Sequence, residues 1–193
     1  MADRPTGNSR DAARLGAADW IEAAFDMLAA QGVDRVSIVP LAKKLGVTKG
    51  SFYWHYKDRD ELLMALLSQW RRRATLQIID RIESADESPA ARLHRLLRLP
   101  FRSSSKSMRG ADIELSIRLW GRTDPRAREA LAEVDQLRLS YIRQLLMAAG
   151  VPAHVIAVRA VEAYSFMRVA TTLVPAGDLE LVAQLGDELL SRK

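Results

Sequence analysis

Apolar residues recur at three- and four-residue spacing along almost the whole of this chain, and nowhere does a sustained alternation of period two appear. A period near 3.6 lays one apolar stripe along a helix, whereas a half-buried strand needs a period of 2, so the pattern predicts an all-α fold of about nine helices. The punctuation agrees. Trp20, Ile21, Ala24, Phe25 and Leu28 outline a first helix that Gly32 can end. Ser37 and Gly46 frame a second, with Pro40 tolerated in its first turn, and Thr48 caps a third that is expected to reach about Tyr56.

Asp58 and Glu61 have the spacing of a capping box and open a fourth helix, expected to run from Arg59 to Ser84 on an apolar side that includes Leu62, Leu66, Trp70 and Ile82. Ser88-Pro89 and Asp124-Pro125 each put a capping side chain before a proline at the first helical position. Gly150 with Pro152 closes the helix begun at Asp124, another helix is expected from Pro152 to about Leu173, and Asp178 is placed to cap a last one. Met1 to Arg14 lacks apolar periodicity and reads as a flexible tail, and Ser103-Ser104-Ser105 as a loop. Arg4, Arg10 and Arg14 could serve as a minor-groove arm, but Asp3 and Asp11 dilute them and plain disorder is the favoured reading. The expected organisation is tail 1–14, head 15–60 and helical body 61–193.

Composition removes several function classes. Without cysteine there is no disulfide, thiolate catalysis or cysteine zinc site. His55, His94 and His154 are the only histidines, none with a second histidine at ligand spacing, and no Gly-rich phosphate loop or nucleophile elbow is present. The expectation is a protein that is not an enzyme and has no metal or cofactor. With no apolar run of membrane-spanning length and no signal sequence, a cytoplasmic location is expected. The net charge of +5 is modest, but its placement is informative: Val36 to Lys57 holds no Asp or Glu, while Lys43, Lys44, Lys49 and Lys57 all lie within it.

Two short helices about a tight turn at Gly46 suit a helix-turn-helix, whose second helix enters the major groove of double-stranded DNA. Phe52 and Tyr56 fall on the inward side of the helical period, leaving Lys49, Ser51, Tyr53, Trp54 and His55 outward. Tyr53 and His55 are expected to meet phosphates, Lys49 a guanine edge or a phosphate, and Trp54 either DNA or the core. Gly50 permits close backbone approach, and Ser37 and Thr48 stand at helix N-termini that attract phosphate. Lys57 and Arg59 are expected to hold phosphates. Arg71-Arg72-Arg73 lies too far along the fourth helix and reads as a solvated face.

The run from Ser37 to Leu62, with its Leu-Ala-x-x-Leu-Gly-Val turn, its Tyr53-Trp54-His55 and its Arg59-to-Leu62 segment, resembles the DNA-binding signature of the tetracycline-repressor (TetR) family over about Ala17 to Leu67. Arg59 stands where that family usually has Lys, and Pro40 is a less usual occupant of its position. The resemblance implies a homodimer of all-helical subunits whose heads bind a near-palindromic operator, spaced about 34–36 Å or more to reach successive grooves. It further implies a body that binds a small-molecule effector, whose arrival releases a repressor from DNA. Trp120 to Pro125 looks like a frequent junction between body helices.

Phe101, Leu119, Trp120, Tyr141, Leu145, Met167 and Arg168 mix large apolar groups with a few donors and are candidates to line an effector cavity, with ordinary core packing the competing reading. Val155, Val158, Val161, Phe166, Leu179, Val182, Leu185 and Leu189 are candidates for a dimer interface, because the last two helices are apolar on more than one side. A helical protein-interaction scaffold, or a regulator acting as an activator without a ligand, is the alternative function.

Overall fold

The computed structural model describes residues 15–101, 105–173 and 179–191, with 105–108, 170–173 and 179 described as backbone only. The tail to Arg14, Ser103, Ser104 and the Asp178 cap lie outside the described residues. Among the described residues there is no strand, and the all-α expectation holds. The helices are α1 (Ala17–Gln31), α2 (Ile38–Leu45), α3 (Lys49–Phe52), α4 (Arg59–Ala74), α5 (Leu76–Glu83), α6 (Pro89–Leu97), α7 (Ser105–Trp120), α8 (Pro125–Ala148), α9 (Ala153–Leu173) and α10 (Leu179–Leu190).

The chain divides into two compact units. The first comprises residues up to Gln69 together with Arg109–Arg128, and the second Trp70–Met108 with Glu129–Lys193. In the first unit α1 begins where the Gly16 amide donates to Asp19 Oδ2 at 2.7 Å, an acid in the first turn that also suits the helix dipole. It ends at Gly32, whose φ of 80° no β-carbon would tolerate cheaply. Trp20, Ala24, Phe25 and Leu28 are its buried stripe. Gly46 ends α2 in the left-handed conformation (φ 69°), and the Val47 amide reaches back to the Ala42 carbonyl at 3.0 Å, which satisfies a carbonyl that the helix end leaves open.

Two sequence expectations need correction. The third helix does not run regularly to Tyr56: regular α-helix ends at Phe52, and a tighter turn follows in which the His55 and Tyr56 amides both bond the Phe52 carbonyl, at 2.9 and 3.0 Å. The fourth helix does not continue to Ser84. It breaks at Thr75, whose backbone leaves the helical region (φ −128°, ψ −77°) and whose hydroxyl donates to the Arg71 carbonyl at 2.6 Å. The β-branched threonine supplies its own bond to the helix end. The Ala74 carbonyl, left without its helical partner, accepts from Arg138 Nε at 3.0 Å.

The later punctuation is as read. Ser88 Oγ accepts from the Ala91 amide with Pro89 at the first helical position, and Gly150 (φ 80°) ends α8. At the junction of α7 and α8, Asp124 Oδ1 accepts from the Arg126 amide at 2.8 Å while its other oxygen accepts from Trp120 Nε1 at 3.0 Å and from the Arg126 guanidinium at 2.8 Å. These bonds, the arginine's first, hold the Asp124 carboxyl down at about 2. A depressed acid contributes stability that is present above its ordinary value and fades as the pH falls through the folded one. Asp124→Asn is therefore expected to lower the melting temperature by a few degrees at pH 7, and the gap to the wild type should close as the pH is taken from 4 to 2. A gap that stays constant over that range contradicts the assignment.

The second unit is built on one core in which Ile82, Leu93, Leu97, Ile142, Leu146, Ala160, Ala163, Val182 and Leu189 are buried. In it α10 comes close to α6 at Gly186, where a β-carbon would lie 2.4 Å from His94 Nδ1. His94 Nε2 is also 3.2 Å from Asp187 Oδ1. Gly186→Ala is expected to cost about 1–3 kcal/mol through overpacking. The double variant with His94→Ala should recover much of that loss in urea unfolding, and no recovery would place the crowding elsewhere.

Candidate nucleic-acid interface

The exposed face of the first unit rests on a buried aromatic base. Phe52 is fully buried, its ring edge-on to Trp20 with centroids 5.2 Å apart and 5.6 Å from Tyr56. The Tyr56 hydroxyl donates to the Ala17 carbonyl at 2.8 Å, and burial, then the charge of Glu61, pushes its pKa up. The short turn after Phe52 is thereby anchored to the start of α1. Phe52 and Tyr56 are core residues, as their helical phase predicted.

From that base the opposite face points to solvent. Trp54 is 84% exposed and Tyr53 51%, and Thr48, Lys49, Gly50 and Lys57 are exposed as well, with Ser51 and His55 half-buried. Lys49 Nζ stands 5.9 Å from the Tyr53 ring centroid, close enough for a cation–π contact that pre-orients both side chains. Two large aromatics held in water beside a lysine are an unusual use of apolar surface. A β-carbon on Gly50 would meet only Thr48 Oγ1, at an ordinary 3.6 Å, so nothing within the described residues demands glycine there. Ser37 and Thr48 occupy N-cap positions but make no side-chain capping bond, and Ser37 is half-buried at the entrance to α2. The start of α4 is tied differently from a simple capping box: Asp58 Oδ1 accepts from the Glu61 amide at 2.9 Å, while Glu61 accepts from the amide of Lys57 at 2.5 Å.

Arg59 is engaged inside the chain. Its Nε donates to the Val36 carbonyl at 2.5 Å and its Nη2 to the Val33 carbonyl at 2.7 Å, a planar fork closing on two carbonyls between α1 and α2. Sequence reasoning missed the partners of Arg109, which lies 87 residues from Glu22 yet pairs with its carboxylate at 3.1 Å and with Asp26 at 2.7 Å. No local pattern announces a bond of that separation.

Residues 21–66 match the family described as "Bacterial regulatory proteins, tetR family". From within α1 to within α4 the chain is similar to that family. Over 48 residues, a quarter of this chain, it is 42% identical to the HTH-type transcriptional regulator SrpR of Pseudomonas putida, of which the alignment covers 22%. The chain thus spans less than half the length of these curated relatives, 22% for SrpR and 43% for EthR of Mycolicibacterium smegmatis. The fold likeness reaches further than the TetR-type head. A TetR-family transcriptional regulator from Rhodococcus sp. superposes with a TM-score of 0.72 at 19% identity, covering 91% of this chain and 98% of that one. FadR from Bacillus subtilis, solved in complex with stearoyl-CoA, gives 0.68 at 15% identity, covering 91% and 98%. No helix among the described residues is long and apolar enough to cross a membrane.

The candidate effector residues do not gather in one unit. Leu119, 59% exposed, and Trp120, buried on Asp124, belong to the first. Phe101, Tyr141, Leu145, Met167 and Arg168 belong to the second. There Phe101 lies 5.9 Å from Phe166 by ring centroids, Leu145 is core, and Met167 packs against that core. The Tyr141 hydroxyl meets Glu83 at 2.6 Å, with burial, then Glu83, raising its pKa, and the Arg168 guanidinium lies 5.3 Å from the Tyr164 ring centroid.

Of the candidate interface residues, Val158 and Val161 are 60% and 50% exposed on α9. Val182 and Leu189, expected at an interface, are instead buried in the chain's own core, because α10 turns that stripe toward α6. Val155, Phe166 and Leu185 are half-buried against the same core, and the Leu179 side chain lies outside the described residues.

Proposed function

We propose that this protein is a homodimeric transcriptional repressor in the cytoplasm, binding a near-palindromic operator through its TetR-type head and released by a small molecule held in its second unit. One observation carries the reading: an exposed Lys49, Tyr53 and Trp54 face, free of acidic neighbours in sequence, on a base locked by Phe52 and Tyr56. Such a face supplies donors and aromatic contacts to phosphates and base edges while its scaffold stays rigid. Lys49, Tyr53, His55 and Lys57 are assigned to DNA, with Thr48, Gly50 and Ser51 lining the approach. Arg59, already bonded to two carbonyls, is assigned to hold the head together rather than to grip a phosphate. The exposed Val158 and Val161 on α9 are the part of the expected interface still open to a second copy. That a protein of the same fold was solved with stearoyl-CoA supports a small-molecule effector without naming one.

The experiment is selection of the purified protein on randomised duplex DNA, followed by anisotropy titrations on the recovered sequence over a range of salt. An inverted repeat is expected, bound by two chains, with affinity falling by about 10³-fold or more between 50 and 200 mM salt as phosphate counterions are released. Failure to enrich any sequence, or a flat salt response, overturns the reading.

A further inference from the structure

The Asp26 carboxylate on α1 serves two cations at once: Arg109 of α7 at 2.7 Å through Oδ1, and Lys44 of α2 at 3.1 Å through Oδ2. Arg109 also takes the Glu22 carboxylate and the Glu22 main-chain carbonyl, each at 3.1 Å. Glu22 and Asp26 lie four apart on α1, so without a cation between them two like charges would repel across one helical turn. At the other end of the same segment Arg126 Nη1 stands 3.6 Å from Asp60 at the start of α4. Segment 109–128 falls in the same compact unit as the head, and Ile113, Ile117 and Ala127 are buried.

Helix α2 has only eight residues, of which Leu41 and Ala42 are buried. So short a helix has little stability of its own and is seated by its neighbours. Its far end, where Lys44 meets Asp26, leads directly into the Gly46 turn and then α3.

We propose that Arg109 is a positioning residue for DNA recognition, which acts through Asp26 to fix α1 and the Lys44 end of α2 in the attitude α3 needs in the groove. Arg109 itself touches no DNA in this scheme. The inference rests on the reading of α3 as the groove-entering element. Each ion pair is partly exposed and weak taken singly. The shared carboxylate makes them a network, in which losses are not additive.

The test uses the full-length protein and reads the ratio of operator affinity to random-duplex affinity, in which simple changes of net charge cancel. Arg109→Gln and Asp26→Asn are each expected to lower that ratio about fivefold, the scale of one network coupling. The double variant should fall no further than the worse single. Arg109→Lys, which keeps one charged donor for Asp26, should restore part of the loss, and Arg122→Gln, an exposed charge on the same segment, should leave the ratio at its wild-type value. Unchanged ratios in both singles, an additive fall in the double, or an equal fall in Arg122→Gln would overturn the proposal. If the wild type enriches no operator, the proposed function fails and not this inference. Urea unfolding of each variant separates a loss of recognition from a loss of fold.

Discussion

Tyr53→Ala and Lys49→Ala are each expected to reduce operator affinity about 100-fold or more while leaving the fold in place, since a lost contact of about 1–3 kcal/mol is lost twice in a dimer. The structural cost should be small because both side chains are exposed: Tyr53 makes an edge contact to Phe52, at 5.4 Å, and Lys49 approaches the Tyr53 ring. Tyr53→Phe separates the two components of the contact. Loss of the hydroxyl alone should weaken phosphate contact yet keep the ring that orients Lys49. Circular dichroism and unfolding curves that match the wild type, beside a titration that does not saturate, are the expected pair of observations. Wild-type affinity in both alanine variants would remove the assignment of this face to DNA.

Phe52→Ala, one residue away, should behave in the opposite manner. The ring is fully buried among Trp20, Tyr53 and Tyr56, so its removal leaves a cavity that rigid neighbours cannot fill, at about 3–5 kcal/mol. That is a large part of the stability of an ordinary domain. Operator binding is lost together with cooperative unfolding of the head, and Trp20, packed directly on the missing ring, supplies a local fluorescence signal for it. Phe52→Leu keeps most of the volume and should retain a folded head. A Phe52→Ala protein with an unchanged unfolding midpoint would mean that the aromatic base does not carry the interface.

The contrast between adjacent residues shows what the sequence made legible. Helical phase separates Phe52 and Tyr56 from Tyr53 and Trp54 because a one-residue step turns the side chain by about 100°. Stops and starts at Gly46, Ser88, Asp124 and Gly150 were readable because each depends on a residue whose own backbone or capping chemistry sets the boundary. The break at Thr75 was not readable. Apolar residues continue through it to Ile78 and Ile82, and the compensating bond comes from Arg138, far along the chain. The partners of Arg59 were hidden for a related reason: only the fold reveals carbonyls of Val33 and Val36 within its reach. Val182 and Leu189 carried a pattern equally suited to an interface and to a core, and the packing of α10 on α6 decided for the core.

The first unit is assembled from two pieces of chain, and this bears on its biosynthesis. A ribosome delivers α1 to α3 early, but Arg109–Arg128 follows only after Trp70–Met108 has been made. At about 5–20 residues per second the wait is several seconds. During it Glu22 and Asp26 lack their arginine, and the place of Ile113, Ile117 and Ala127 is vacant. A nascent head is therefore an incomplete one. Chain fragments released before residue 128 would carry α1 to α3 without the segment that completes their compact unit.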